Sequence, residues 1–115
     1  MNVETARALC RTFPGCTEDL KWGHVIVYSV GTKMFATCPH EPKPLQMSFK
    51  VEDERFLELT DRPGIVPAPY LARMKWVQVK AAALSDAEAA GLLRRAYELV
   101  FARLTKKLQR EIGGA

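Results

Sequence analysis

Residues 85–104 read SDAEAAGLLRRAYELVFARL, and this stretch constrains the fold more than any other. Ser85 and Glu88 have the spacing of a capping box, in which the serine hydroxyl accepts the third residue's N–H and the glutamate reaches back to the serine's own N–H. Beyond that start, Ala89, Leu92, Leu93, Ala96, Leu99, Val100 and Leu104 recur at helical spacing and form an apolar stripe wide enough to cover a sheet. Continued to Ile112 the helix would be about 40 Å long, more than so small a domain can use, so a break is expected near Lys106. The chain from about residue 106 is then expected to be a basic tail that the fold can lose. Arg94, Arg95, Arg103, Lys106, Lys107 and Arg110 are expected mostly on the solvent face.

A stripe of this width needs a sheet, and the preceding chain supplies one. HVIVYSV and KMFATC are β-branched or aromatic runs separated by Gly31-Thr32, a tight hairpin signal. LQMSFK alternates strictly, with Leu45, Met47 and Phe49 on one face and Gln46, Ser48 and Lys50 on the other. KWVQVK sets Val77 and Val79 against Trp76, Gln78 and Lys80 in the same way. Two shorter helices complete the reading. NVETARALCRTF places Val3, Ala6, Cys10 and Phe13 on one face, with Asn2 at the N-cap and Pro14-Gly15 as the stop. EDERFLELTDR carries Phe56, Leu57 and Leu59 among charges and ends at Pro63-Gly64, with Glu52, Asp53 and Glu54 at the positive end of its dipole. The order helix, three strands, helix, strand, long helix predicts an α+β two-layer sandwich, a mainly antiparallel sheet with the N- and C-terminal helices packed on one face.

The chain has 115 residues, 48% of them hydrophobic and 26% charged, which fits one soluble domain, residues 1–115, that acts as a monomer. No apolar run approaches the roughly 18 residues of a membrane span, and the first residues lack the pattern of a signal peptide, so a cytoplasmic location without membrane contact is expected. Three cysteines, Cys10, Cys16 and Cys38, form no C-x-x-C pair, and Cys10 on the first helix's apolar stripe is expected buried and unreactive. Cys38 and His40 supply at most two ligands where a structural zinc site takes four, and His24 is the one other histidine. G-x-S-x-G, P-loop and H-E-x-x-H motifs are absent. The expectation is a non-catalytic protein without metal or cofactor. A formal charge of +4 favours a polyanionic partner, DNA or single-stranded nucleic acid, over other classes.

FPGCTEDLKWG, VGTKMFA, RPGIVPAPYLARMKWVQV and AYELVFARLTKK together resemble, in order and spacing, the MmcQ/YjbR family of small bacterial proteins from about Leu9 to Lys107. The PG-x-x-PAPY run followed by Trp76-Val77 is the most specific part; Ala96 departs from a pattern in which serine commonly precedes the tyrosine. The resemblance implies a CyaY-like sandwich, also described as a double-wing fold, and a family labelled DNA-binding, with no defined catalytic set. It implies no iron chaperone, because the first helix sets Glu4 against Arg7 and Arg11 where frataxins carry an acidic ridge.

The prolines Pro63, Pro67 and Pro69 fix the path from short helix to last strand. They leave open whether Tyr70, Arg73 and Trp76 serve a ligand or only the loop. By strand parity Lys50, Trp76 and Lys80 share the face away from the helices, and with Tyr70, Arg73 and Lys75 they are the candidate nucleic-acid or partner surface, an aromatic platform framed by cations. The alternative is a protein-interaction domain using the same solvent-facing sheet surface. A second view of Trp76 has it folded down against Tyr70 and the proline loop as a small separate core.

Overall fold

A computed structural model describes residues 3–23, 25–39, 46–80 and 83–113. Its elements are α1 (Val3–Cys10), β1 (Cys16–Lys21), β2 (Val25–Val30), β3 (Lys33–Pro39), β4 (Gln46–Lys50), α2 (Asp53–Thr60), β5 (Ile65–Pro67), a short 3-10 turn (Ala72–Met74), β6 (Trp76–Lys80), α3 (Asp86–Phe101) and α4 (Lys106–Ile112). The six strands form one antiparallel sheet in the order β1-β2-β3-β4-β6-β5. The helices pack on one face of it, so the α+β two-layer sandwich expected from the pattern is the fold. The Asn2 cap, His24, His40 and Leu45 lie outside the described residues.

One core unites the layers. Ala6 and Cys10 of α1, Leu59 of α2, and Leu92, Leu93 and Ala96 of α3 meet Tyr28, Val30, Phe49 and Val77 of the sheet. Phe13, Phe35 and Tyr97 form its aromatic centre, with Phe35 edge-on to Tyr97 at 5.6 Å. Ala96 is wholly buried, so the small side chain here fills its place by packing alone. Cys10 and Cys38 are buried too, and burial raises both thiols above their ordinary range. Of the short-helix residues, Leu59 is inside whereas Leu57 is 77% exposed.

Two strands lie where the pattern shows only loops. β1, CTEDLK, is a sheet edge whose Glu18 points to the helix layer and receives Arg7 of α1 at 2.8 Å and Arg11 at 3.5 Å. Charge turned inward on an edge strand blocks pairing with another chain, and it also erases the apolar alternation by which strands are recognised. β5 is the opposite edge, three residues long and ending at Pro67, where the missing N–H costs no ladder bond.

The capping box of α3 is present, with Glu88 N–H donating to Ser85 Oγ at 3.1 Å and Ser85 N–H to Glu88 Oε1 at 3.3 Å. The expected break also occurs, between Phe101 and Lys106. Thr105 caps α4 by accepting Leu108 N–H, while Gln109 Nε2 donates to the carbonyls of Leu104 and Phe101 where α3 ends. Residues beyond 106 are not a free tail: Leu108 and Ile112 pack against the core. Ile112 sits so close to Gly15 that a Cβ there would meet it at 2.7 Å.

A chain ended after Thr105 is therefore expected to lose at least about 2 kcal/mol of unfolding free energy, from partial burial of two aliphatic side chains and the lost helix-end hydrogen bonds. Urea denaturation followed by circular dichroism measures this. Wild-type stability in the truncated chain would show that α4 contributes nothing.

Candidate cationic cleft

The β2–β3 hairpin turns at Gly31 and Thr32, with φ of 56° and 69°. Positive φ at both central residues is the type I′ geometry that matches strand twist. One step along, the register slips: Tyr28 opposes Ala36 while Ser29 opposes Met34, so Phe35 is an extra, unpaired residue. The bulge sends both Phe35 and Ala36 into the core and turns Met34 to the sheet's other side, beside Ser29. β3 and β4 then pair only at Ala36–Phe49 and Thr37–Ser48 among the described residues. Toward Lys33 and Lys50 they part.

A cleft of about 260 Å³ opens at this end, lined by Lys33 and Met34 of β3, Lys50 of β4, Met74 and Trp76 of the 3-10 turn and β6, and Val100 and Arg103 from the end of α3. Its floor is apolar and its cations number three. Arg103 arrives because Leu104, buried beside it, packs on Gly31, where a Cβ would stand 2.8 Å from a leucine methyl. None of Lys33, Lys50 and Arg103 forms an ion pair with another described residue, whereas Arg7, Arg11, Arg55, Arg62 and Arg95 all do.

Lys50 is the unusual member, with only 9% of its surface exposed. Its Nζ donates to the Met74 carbonyl at 2.7 Å, tying β4 to the 3-10 turn. Burial pushes its pKa below the ordinary 10.5, the nearby Arg103 lowers it further, and Asp53 partly opposes them. A buried ammonium with one carbonyl partner and a cationic neighbour has capacity left for an anion.

Trp76 corrects the expected aromatic platform. Parity holds, since Lys50 pairs with Trp76 and Gln46 with Lys80 while Val77 and Val79 enter the core. Yet Trp76 is only 2% exposed and cannot offer a flat face to solvent. The proline loop closes around it: Ala68 N–H donates to the Trp76 carbonyl and Trp76 N–H to Leu71. The second view of this residue is the nearer one, except that Tyr70 stands fully exposed and takes no part. Tyr70 and Lys75 bracket the turn with φ of 66° and 61°, left-handed conformations that cost a residue with a side chain about 1–2 kcal/mol each.

The other surface candidates scatter. Arg73 is exposed on the 3-10 turn, next to Met74 in the chain. Lys75 sits over the Phe56 ring at 5.1 Å, on the helix side. Lys80 is exposed at the far end of β6. So the cleft joins Lys50 and Trp76 with Lys33, Met34, Met74, Val100 and Arg103, which pattern reading did not single out. The lining comes from β3, β4, the 3-10 turn, β6 and the region where α3 ends, and the one local hint was a lysine directly after a hairpin turn.

Among the described residues no group of His, Cys, Asp and Glu could hold a metal ion, and no helix is long and apolar enough to cross a membrane. The fold and this cleft define a small α+β sandwich with a basic opening at one end of its sheet. The YjbR family model matches residues 11–99, and the chain belongs to that family. It is similar to the crystal structure of Deinococcus radiodurans protein DR2400, described as a DUF419 domain, with 29% identity, a TM-score of 0.86, and coverage of 96% of this chain and 87% of that one. A Pseudomonas syringae protein, 20% identical over 87% of this chain and 99% of its own, shares the fold with a TM-score of 0.72. No curated protein matches the chain.

The lowered pKa of Lys50 fixes a stability trend. The unfolded chain holds this proton more tightly than the folded one, so stability gains as pH rises from neutral toward 10.5. Lys50→Met removes that gain. The difference in unfolding free energy between wild type and variant should shift in favour of wild type over this interval, measured by urea titration at several pH values; parallel curves, or a shift the other way, would contradict the assigned environment.

Proposed function

We propose that this protein is a non-catalytic module that binds single-stranded nucleic acid at the basic end of its sheet, acting as a monomer. The observation that carries the reading is the set of three cations that form no ion pair with another described residue around an apolar floor. Phosphates need the first feature and unstacked bases the second. More positive charge is close in the chain, since Arg73 precedes Met74 and Lys106 and Lys107 open α4 directly after Leu104 and Thr105. Elsewhere Arg7, Arg55, Arg62 and Arg95 are paired with Glu18, Glu58, Glu88 and Glu52, and Arg94 lies over the Phe13 ring. Lys33, Lys50 and Arg103 keep no ion pair with a described residue, although Lys50 and Arg103 also border Glu52, Asp53 and Glu54 on the α2 side.

Shape favours a single strand over a duplex. An opening of about 260 Å³ can admit a base that is free to turn out, whereas a duplex keeps its bases stacked and presents only backbone. Met34 and the 57%-exposed Met74 supply adaptable apolar contact in place of a flat aromatic face. The partner-protein alternative loses its centre with the burial of Trp76.

Fluorescence anisotropy with a labelled single strand and the matching duplex tests the reading. The single strand should bind more tightly at low salt, with log K falling by about 0.7 per phosphate contacted for each decade of salt. Lys33→Glu with Arg103→Glu, both exposed positions, should weaken binding roughly tenfold or more while the thermal unfolding midpoint stays near that of wild type. Absence of binding to either nucleic acid at low salt would overturn the proposal.

A further inference from the structure

We infer that the cleft recognises a nucleoside phosphate monoester, the phosphorylated end of a single strand or the free nucleoside monophosphate, in preference to the phosphodiesters within a strand. This deepens the nucleic-acid reading and rests on it only for the strand.

Three features of the cleft lead there. Its volume, about 260 Å³, lies below the roughly 300–1,000 Å³ usual for small-molecule sites, so it has room for a phosphate with part of its own sugar or base and not for a run of nucleotides. Its charge is the second. Lys33, Lys50 and Arg103 face one small space, close enough that Arg103 depresses the Lys50 pKa, and Asp53 is the carboxylate that acts on Lys50 from α2. An internal diester brings one negative charge to this group, while a terminal monoester brings nearly two near neutral pH and an additional oxygen acceptor. Lys50 is the third. It is nine-tenths buried and anchored to the Met74 carbonyl, so its ammonium is oriented before a ligand arrives, and a partly desolvated cation interacts more strongly with a dianion than a flexible surface lysine does. Met34, Met74 and Val100 provide the apolar surroundings for the base or sugar.

The monoester sheds its second charge with a pKa of about 6. Acidification therefore removes the advantage of a phosphorylated end, while Lys50, whose pKa burial lowers, only becomes more fully charged. Loss of preference in acid then belongs to the ligand and not to the protein.

The test compares strands of one sequence bearing a 5′-phosphate, a 3′-phosphate or hydroxyl ends, together with a nucleoside monophosphate, the nucleoside and inorganic phosphate, all by competition anisotropy and calorimetry. One phosphorylated end should bind about tenfold more tightly than hydroxyl ends at neutral pH. The preference should vanish at about pH 5. Lys33→Gln with Arg103→Gln, whose fold is checked by circular dichroism, should abolish it, and the nucleoside monophosphate should outcompete both the nucleoside and inorganic phosphate. Equal affinity for all ends would overturn the inference and leave the single-strand reading standing. Binding of the monophosphate without binding of any strand would support the cleft's ligand and remove the strand. Binding of neither would end both.

Discussion

Leu104 resting on Gly31 is the contact on which the cationic end of this molecule depends. It fixes the last turn of the long helix to the hairpin at one end of the sheet, and it does so where no Cβ can intervene. Two consequences follow from the same few ångströms. The helix must stop, because a straight continuation would leave the sheet, and Thr105 and Gln109 restart the chain as α4 with hydrogen bonds at the junction. Arg103, next to the anchored leucine, is brought to the space between Lys33 and Lys50.

The second requirement is that β3 and β4 separate there. An unbroken ladder would pair their main chains and close the opening. The bulge at Phe35 uses one extra residue to fill the aromatic centre of the core and, by the same shift, turns Met34 toward the cleft. Core packing and the cleft are therefore not independent designs. Lys50 then bridges the gap to the 3-10 turn, and the left-handed residues Tyr70 and Lys75 hold that turn over Trp76. Left-handed residues on either side of a turn that forms one wall of a cleft, with a buried cation tied to that turn, are features that cluster at sites under functional constraint.

Much of this was legible in the sequence because it is written in local periodicity. The capping box, the stripe of α3, the hairpin at Gly31-Thr32 and the parity of β4 and β6 each follow from spacing within a few residues. β1 was not legible, since an inward Glu18 satisfied by Arg7 and Arg11 looks the same in a linear reading as a charged loop. Trp76 was placed on the correct side, but parity says nothing about what folds over a side, and the proline loop does so. The cleft was least legible of all. Lys33, Lys50 and Arg103 are joined by a bulge and a helix–hairpin contact, neither of which has a periodic signature.

An amide and side-chain chemical-shift titration with a short single strand tests, residue by residue, the proposal that the parted end of β3 and β4 is the binding site. The account predicts that the largest perturbations fall on the amides of Lys33, Met34, Lys50 and Arg103, the methyls of Met34 and Met74, and the indole of Trp76, with Lys80 and β1 left unmoved. Perturbations centred on β1, α1 or the Lys80 end of β6, with the cleft resonances unshifted at saturation, would contradict it.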